Sequence, residues 1–257
     1  MPHVSISLQV YIVLAGVITA ALLAAIVLRA GKRAGVSASA SRIAILAGVY
    51  LLVTGLLAYL GALANFDSTP PRGALFFPVC IAGIVLLCRS DAFAKLLARI
   101  PMQTILEMQT FRFLAELLIF WLILEGAMPE TMSFTGRNFD ILVPLTAPLI
   151  SFFLFRRPIV SQPVARLIGV VWNLAGMGIL SVTVFTGIFS LPMPGRLFFD
   201  GISTAIIFSF PFHILPTYWV PLAFSLHVFS LLKLWRERSL SEANGAKNTT
   251  SQPSAAY

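Results

Sequence analysis

Charge is what this sequence has least of. Asp, Glu, Lys and Arg make up 11% of its 257 residues, against about 25% in a typical soluble domain. With 58% hydrophobic residues and no long polar stretch before the tail, a water-soluble globule is excluded. Cysteine is nearly absent too. Cys80 and Cys88 are the only two, and eight residues of helix would hold them about 12 Å apart. A disulfide needs Cα atoms within about 7 Å, so they read as small apolar fillers. Histidine occurs three times, at His3, His213 and His227. His213 and His227 would stand about 21 Å apart along one helix, too far to share a metal, and paired haem ligands are lacking. No metal site and no cofactor are expected. A Gly-rich phosphate loop, a His-Glu-x-x-His helix and a serine nucleophile elbow are also missing.

What remains is apolar sequence in runs. Seven candidate spans lie at 8–28, 43–64, 74–88, 108–128, 139–155, 167–190 and 204–232. With the N-terminus outside, the inner connections and tail hold 15 of the 18 basic residues, and only Arg72, Arg137 and Arg196 fall outside. A cytoplasmic excess of Lys and Arg marks orientation in a membrane protein. The expected fold class is an all-α, polytopic transmembrane bundle of seven spans over 1–238, N-terminus out and C-terminus in. The same asymmetry explains the net charge of +8. Without a basic domain or an aromatic platform, no nucleic-acid partner is expected. The first run lacks a basic leader and is followed, not preceded, by Arg29, Lys32 and Arg33. It therefore reads as a retained helix rather than a signal peptide.

Local features refine this layout. Gly16, Ala20 and Ala24, and then Thr54, Ala58 and Ala62, recur at four-residue spacing, a pattern that lets membrane helices approach closely. Between the third and fourth spans, Phe93, Leu96, Leu97 and Ile100 alternate with Asp91, Lys95 and Arg99 at helical spacing. That predicts a short amphipathic helix over 91–100 at the inner surface, capped by Ser90 and stopped by Pro101. Pro144 and Pro148 lie in the fifth span and Pro211, Pro216 and Pro221 in the seventh. The seventh is also too long: 29 residues of helix measure about 43 Å against a hydrocarbon core of about 30 Å. It must tilt, kink or begin outside. The polar tail, 239–257, is expected to be disordered.

Ionisable and amide side chains within the spans are candidates for function, because each costs free energy in lipid unless paired or hydrated. Glu116 is the sharpest case. Arg112 stands four residues earlier on the same helix face, with Gln109 nearby, which predicts either a packing ion pair or a functional carboxylate. Asn173 and His227 lie about two turns from the inner ends of their spans, so Gln109, Arg112, Glu116, Asn173 and His227 are expected as one polar layer in the cytoplasmic half. A second, outer polar site is expected from Arg137, Asn138, Asp140 and His213. In it Arg137 and Asp140 either cap the fifth helix as a local pair or form an outward-facing lip. A retinal protein is excluded because Lys233 falls at the end of the seventh span rather than its middle.

The segments Gln109–Glu116 and Gly136–Leu142, the pair Trp172-Asn173, the triplet Phe210-Pro211-Phe212, Val220-Pro221-Leu222 and His227 resemble those of an uncharacterised group of bacterial multi-span membrane proteins. The resemblance covers about 100–235. It implies a bacterial cytoplasmic membrane and transfers no activity. The leading expectation is a small transporter, permease or channel-like protein using the inner polar layer. The alternatives are an intramembrane enzyme acting on a lipid or quinone, with Glu116 and His227 as acid and base, and a non-catalytic membrane subunit or assembly factor. Membrane lipids, a small-molecule or ion substrate, and a homo-oligomeric or membrane-complex partner are the partners these readings admit.

Overall fold

A computed structural model describes residues 4–199 and 201–250, with backbone alone for 240–250. Every regular element among them is helical. Helices α1 (Ile6–Ala34) and α2 (Ser37–Tyr59) form an antiparallel hairpin, with Ala30 and Ala40 buried where they meet. A 3₁₀ turn, Arg72–Leu75, leads into α3 (Phe76–Arg89). Next come α4 (Asp91–Arg99), α5 (Met102–Met108) and, through a 3₁₀ turn, α6 (Arg112–Leu124). Helix α7 (Leu142–Ile150) widens into a π-helical stretch to Arg156. Helix α8 (Gln162–Phe189) follows, and α9 (Val220–Thr250) is entered through a π-helical turn, Leu215–Trp219.

Five segments are long and apolar enough to cross a membrane: Ile6–Ala34, Ser37–Tyr59, Arg72–Arg89, Gln162–Phe189 and Leu215–Ser239. Their outward faces carry large apolar side chains such as Ile45, Leu46, Leu52 and Leu56. Surface of that extent matches lipid rather than water. The chain is thus a membrane-embedded helical bundle. The other two of the seven expected spans correspond to weaker segments. The run from Met102 to Leu124 is broken by its 3₁₀ turn and carries Glu107, Arg112 and Glu116, while Leu142–Arg156 is short.

The helical run containing Arg112 begins at Met102 rather than at residue 108, which moves Arg112 about 15 Å from its start. Asn173 is similarly far into α8, and His227 lies midway along Leu215–Ser239. The layer expected near the inner helix ends therefore sits at mid-helix. Helix α2 stops at Tyr59, so Ala62 lies beyond it and the small-residue stripe is shorter than its sequence spacing implies.

The amphipathic segment does form α4, with Ser90 Oγ accepting from Phe93 N at 3.3 Å. Its apolar face is covered by protein: Phe93, Leu96 and Leu97 are buried, and Phe93 packs on Phe229 at 4.7 Å. Lys233 Nζ donates to the Leu97 carbonyl at 3.2 Å, placing a cation at the negative end of α4. The overlong seventh run resolves as a break. A 3₁₀ turn over Thr204–Phe208 gives way to turns through Ser209–His213 before helix resumes. Pro221 has no N–H to offer the Thr217 carbonyl, and the Tyr50 hydroxyl of α2 donates to that oxygen at 2.8 Å. Beyond Ser239, where the disordered tail was expected, α9 runs on to Thr250; 251–257 lie outside the described residues.

Candidate functional site

The connection from α6 to α7 decides how the polar residues meet. It folds back into the bundle, with Ala127, Met128 and Met132 buried. A turn closes where Arg137 N donates to Thr131 O at 2.8 Å and Asn138 N to Ser133 O at 3.1 Å. Gly136 is required there, because a Cβ would lie 2.6 Å from the Thr131 carbonyl oxygen. Past it the side chains alternate: Arg137 and Phe139 point out, Asn138 and Asp140 in. Asn138 and Asp140 are 1% and 4% exposed, at the heart of the protein rather than on its rim.

There Asp140 meets Arg112. The guanidinium binds the carboxylate through two nitrogens, Nε to Oδ2 at 2.8 Å and Nη2 to Oδ1. Its Nη1 donates to His227 Nε2 at 2.9 Å. An arginine can only donate, so Nε2 accepts and the proton of neutral His227 resides on Nδ1. That N–H reaches Asn173 Oδ1 at 2.9 Å, and Asn173 Nδ2 in turn donates to Ser230 Oγ at 3.0 Å and to the Gly169 carbonyl at 2.7 Å. The chain from Asp140 to Ser230 thus has one consistent set of donors and acceptors. Helix α8 comes close enough for this because residue 176 is glycine: a Cβ there would lie 2.5 Å from His227 Cε1.

Glu116 is bound differently. Both of its oxygens accept from Asn138 Nδ2, at 2.9 and 3.2 Å, while Asn138 Oδ1 accepts from Thr183 Oγ1 at 2.9 Å. Among the described residues it makes no ion pair. It borders a partly open cavity of about 60 Å³, which also touches Arg112, Asp140 and Thr183 and is otherwise walled by apolar residues such as Leu180 and Trp219. A water needs at least about 10–15 Å³, so this space admits a few. On its other side Glu116 lines a cleft of about 220 Å³ with Phe113, Leu117, Phe120 and Phe134.

Two sites were expected and the structure builds one from parts of both. Arg112, Glu116, Asn173 and His227 from the inner layer join Asn138 and Asp140 from the outer set. Of the two readings open for Glu116, the packing pair with Arg112 does not form, because the inbound connection brings Asp140 to Arg112 instead. Gln109 stays apart, its Nε2 donating to the Ala223 carbonyl at 3.3 Å and its Oε1 buried without a partner among the described residues. Arg137 does not pair with Asp140. The alternation puts the two on opposite sides, and the Arg137 guanidinium stacks 4.6 Å from the Phe198 ring. His213 belongs elsewhere, stacked on Phe210 beside α2.

Thr183, Ser230 and Gly176 complete the site and were not anticipated. Small polar residues and glycines are common in membrane helices, and only the three-residue steps Asn173–Gly176 and His227–Ser230 hint at a shared face. Among the described residues no group of three His, Cys, Asp or Glu could hold a metal. Compared with known proteins, the chain matches no family model, no curated protein and no solved structure.

Proposed function

We propose that this chain is a small proton-linked transporter or permease of a bacterial cytoplasmic membrane, crossing it seven times with the N-terminus outside. The distribution of basic residues supports that orientation. The observation that carries the activity is the setting of Glu116: a carboxylate in a membrane helix, held by a neutral amide rather than a cation, lining both a small cavity with room for a few waters and an adjoining cleft. Ionisable groups persist in such places chiefly on ion and proton paths. Arg112 and Asp140 neutralise each other beside it, so Glu116 is the member of the cluster whose charge is free to change. Proton exchange at Glu116 would alter its hold on Asn138, and through Asn138 the seating of the inbound connection.

The enzyme alternative is less well supported. Both ring nitrogens of His227 are engaged, by Arg112 and Asn173, which leaves none to act on a substrate. In proteoliposomes containing a pH-sensitive dye, wild type is expected to dissipate an imposed proton gradient. Glu116→Gln, with the melting temperature retained, is expected to abolish it. Flux that survives the substitution removes the assigned role.

A further inference from the structure

Glu116 belongs to a stripe. Phe113, Glu116, Leu117 and Phe120 are spaced three or four residues apart along α6, which sets them on one face. Phe113, Leu117 and Phe120 are exposed, and Glu116 among them is half-buried. Ser133 and Phe134 of the inbound connection form the opposite wall of the cleft of about 220 Å³ that these side chains share. A carboxylate is thus set among aromatic rings at an exposed edge of the bundle.

The balance of charge says what this cleft lacks. Across the cleft and the adjoining cavity, the ionisable side chains are Arg112 and Glu116 of α6 and Asp140 of the connection; the lining from α3, α8 and α9 contributes none. Arg112 is taken up by Asp140, so an ionised Glu116 leaves one negative charge uncompensated. Asn138 does not cancel it. Its Nδ2 bonds both carboxylate oxygens, and each oxygen keeps a further lone pair. A charge away from water is costly unless it is paired, and lipid tails filling the cleft would leave this one unpaired. Two occupants remove the imbalance: a proton on the carboxyl, or a cation in the cleft.

We infer that the cleft binds a small organic cation of the tetraalkylammonium class, and that this cation and the proton compete for Glu116. The inference rests on the proton-linked transport reading above and names its substrate class. A hard metal ion asks for about six or more oxygen ligands, whereas the side-chain oxygens of the cleft are those of Glu116 and Ser133. A quaternary ammonium needs no such set. Its alkyl groups suit Leu117, Ile119 and Ile141, and its charge is attracted to aromatic faces. Drug-sized ligands fill about 300–1,000 Å³, so a cleft of about 220 Å³ selects a smaller one. As the cation binds, the Glu116 carboxyl gives its proton to water, and the site is neutral before and after. Alternate use of one carboxylate couples movement of the cation to movement of the proton.

The test is calorimetric titration of the full-length protein in nanodiscs with tetraethylammonium, in two buffers of different ionisation enthalpy. Saturable binding is expected, weaker as pH falls, with a heat that depends on the buffer because protons are released. Glu116→Gln is expected to bind at least about tenfold more weakly and to release no proton. Phe120→Leu, which removes one aromatic face, is expected to bind about two- to fivefold more weakly. If Glu116→Gln does not assemble, tetraethylmethane, the same shape without the charge, takes its place as the test. It is expected not to displace the cation from wild type, and displacement overturns the site. Absence of saturable binding to wild type, or binding that Glu116→Gln leaves unchanged, overturns the site even where the dye assay shows proton flux. Binding without proton flux upholds the site and overturns the transport reading instead.

Discussion

The centre of the bundle and the face between α1 and α2 are packed in opposite ways. At the centre, polar side chains from α6, α8, α9 and the inbound connection bond to one another from Asp140 to Ser230. Between α1, α2 and the segment 210–218, small side chains such as Gly16, Ala20 and Gly48 instead leave a groove of about 820 Å³. The central helices are drawn tightly together at Gly176, whereas at Gly48 the backbone opens onto empty volume. Tight packing and a continuous chain of side-chain bonds mark a part that must hold one arrangement. Open packing against small side chains marks a part under no such constraint.

The largest effect that could break this contrast lies at Asp140. Asp140→Ala leaves the Arg112 guanidinium, 1% exposed, without its carboxylate. Removing one partner of a buried pair costs about 3–5 kcal/mol. Unfolding in detergent is expected to show a loss of that size, largely recovered when Arg112→Met is combined with Asp140→Leu, because the double change removes the stranded charge. A loss under about 1 kcal/mol would mean that the pair is not what organises the centre.

The two glycines give a more direct comparison. At Gly176 a Cβ would lie 2.5 Å from His227 Cε1 and 2.7 Å from Nε2. The ring cannot move aside without losing its bonds to Arg112 or Asn173. Gly176→Ala is expected to destabilise by about 1–3 kcal/mol, the usual range for overpacking. Gly48→Ala meets no neighbour, and replacing a helical glycine removes backbone freedom from the unfolded chain, so a gain of up to about 1 kcal/mol is expected. Melting curves of the two variants should move in opposite directions. Movement in the same direction would erase the distinction between the regions.

How much of this could be read from the residues alone depends on the range of the interaction. The apolar runs and α4 were legible because both rest on local periodicity: Phe93, Leu96 and Leu97 share a face wherever the helix lies. The identity of the central residues was legible for a similar reason, since Arg112, Glu116, Asn173 and His227 are costly in lipid and stand out in any apolar run. Their pairing was not. Helical spacing joins Arg112 to Glu116, but the connection at 125–141 brings Asp140 into the bundle, and its turn depends on the Gly136–Thr131 contact rather than on a hydrophobic pattern. The alternation of Arg137, Asn138, Phe139 and Asp140 was a visible clue that 137 and 140 face opposite ways. The position of Arg112 along its helix was not legible because the start of the Met102–Leu124 run lies in sequence that reads as a connection, with Glu107 and Gln109 breaking its apolar character. The groove was the least legible feature. The stripe Gly16, Ala20 and Ala24 describes close approach and open space equally well until the third element, 210–218, is in position.

The smallest effect sharpens the comparison by supplying a pair that lies outside both regions. Arg156 Nη2 bonds Glu107 Oε1 at 2.8 Å, with the two side chains 56% and 39% exposed. The same carboxylate oxygen accepts from Ser151 Oγ at 2.8 Å. By distance this bridge is as well made as any in the centre, so a view based on geometry alone would rank it beside Arg112–Asp140. Solvent argues otherwise, because an exposed pair is screened and its side chains give up rotamer freedom, leaving at most about 1 kcal/mol. Arg156→Gln is expected to lower stability by no more than that, and the difference should shrink as salt rises. The Asp140→Ala penalty should be nearly independent of salt, since the central pair is shielded from counterions. Unfolding each variant at low and high ionic strength separates the two. A strongly salt-dependent Asp140 penalty would show that solvent reaches the centre, and the contrast between a closed core and an open groove would then fail.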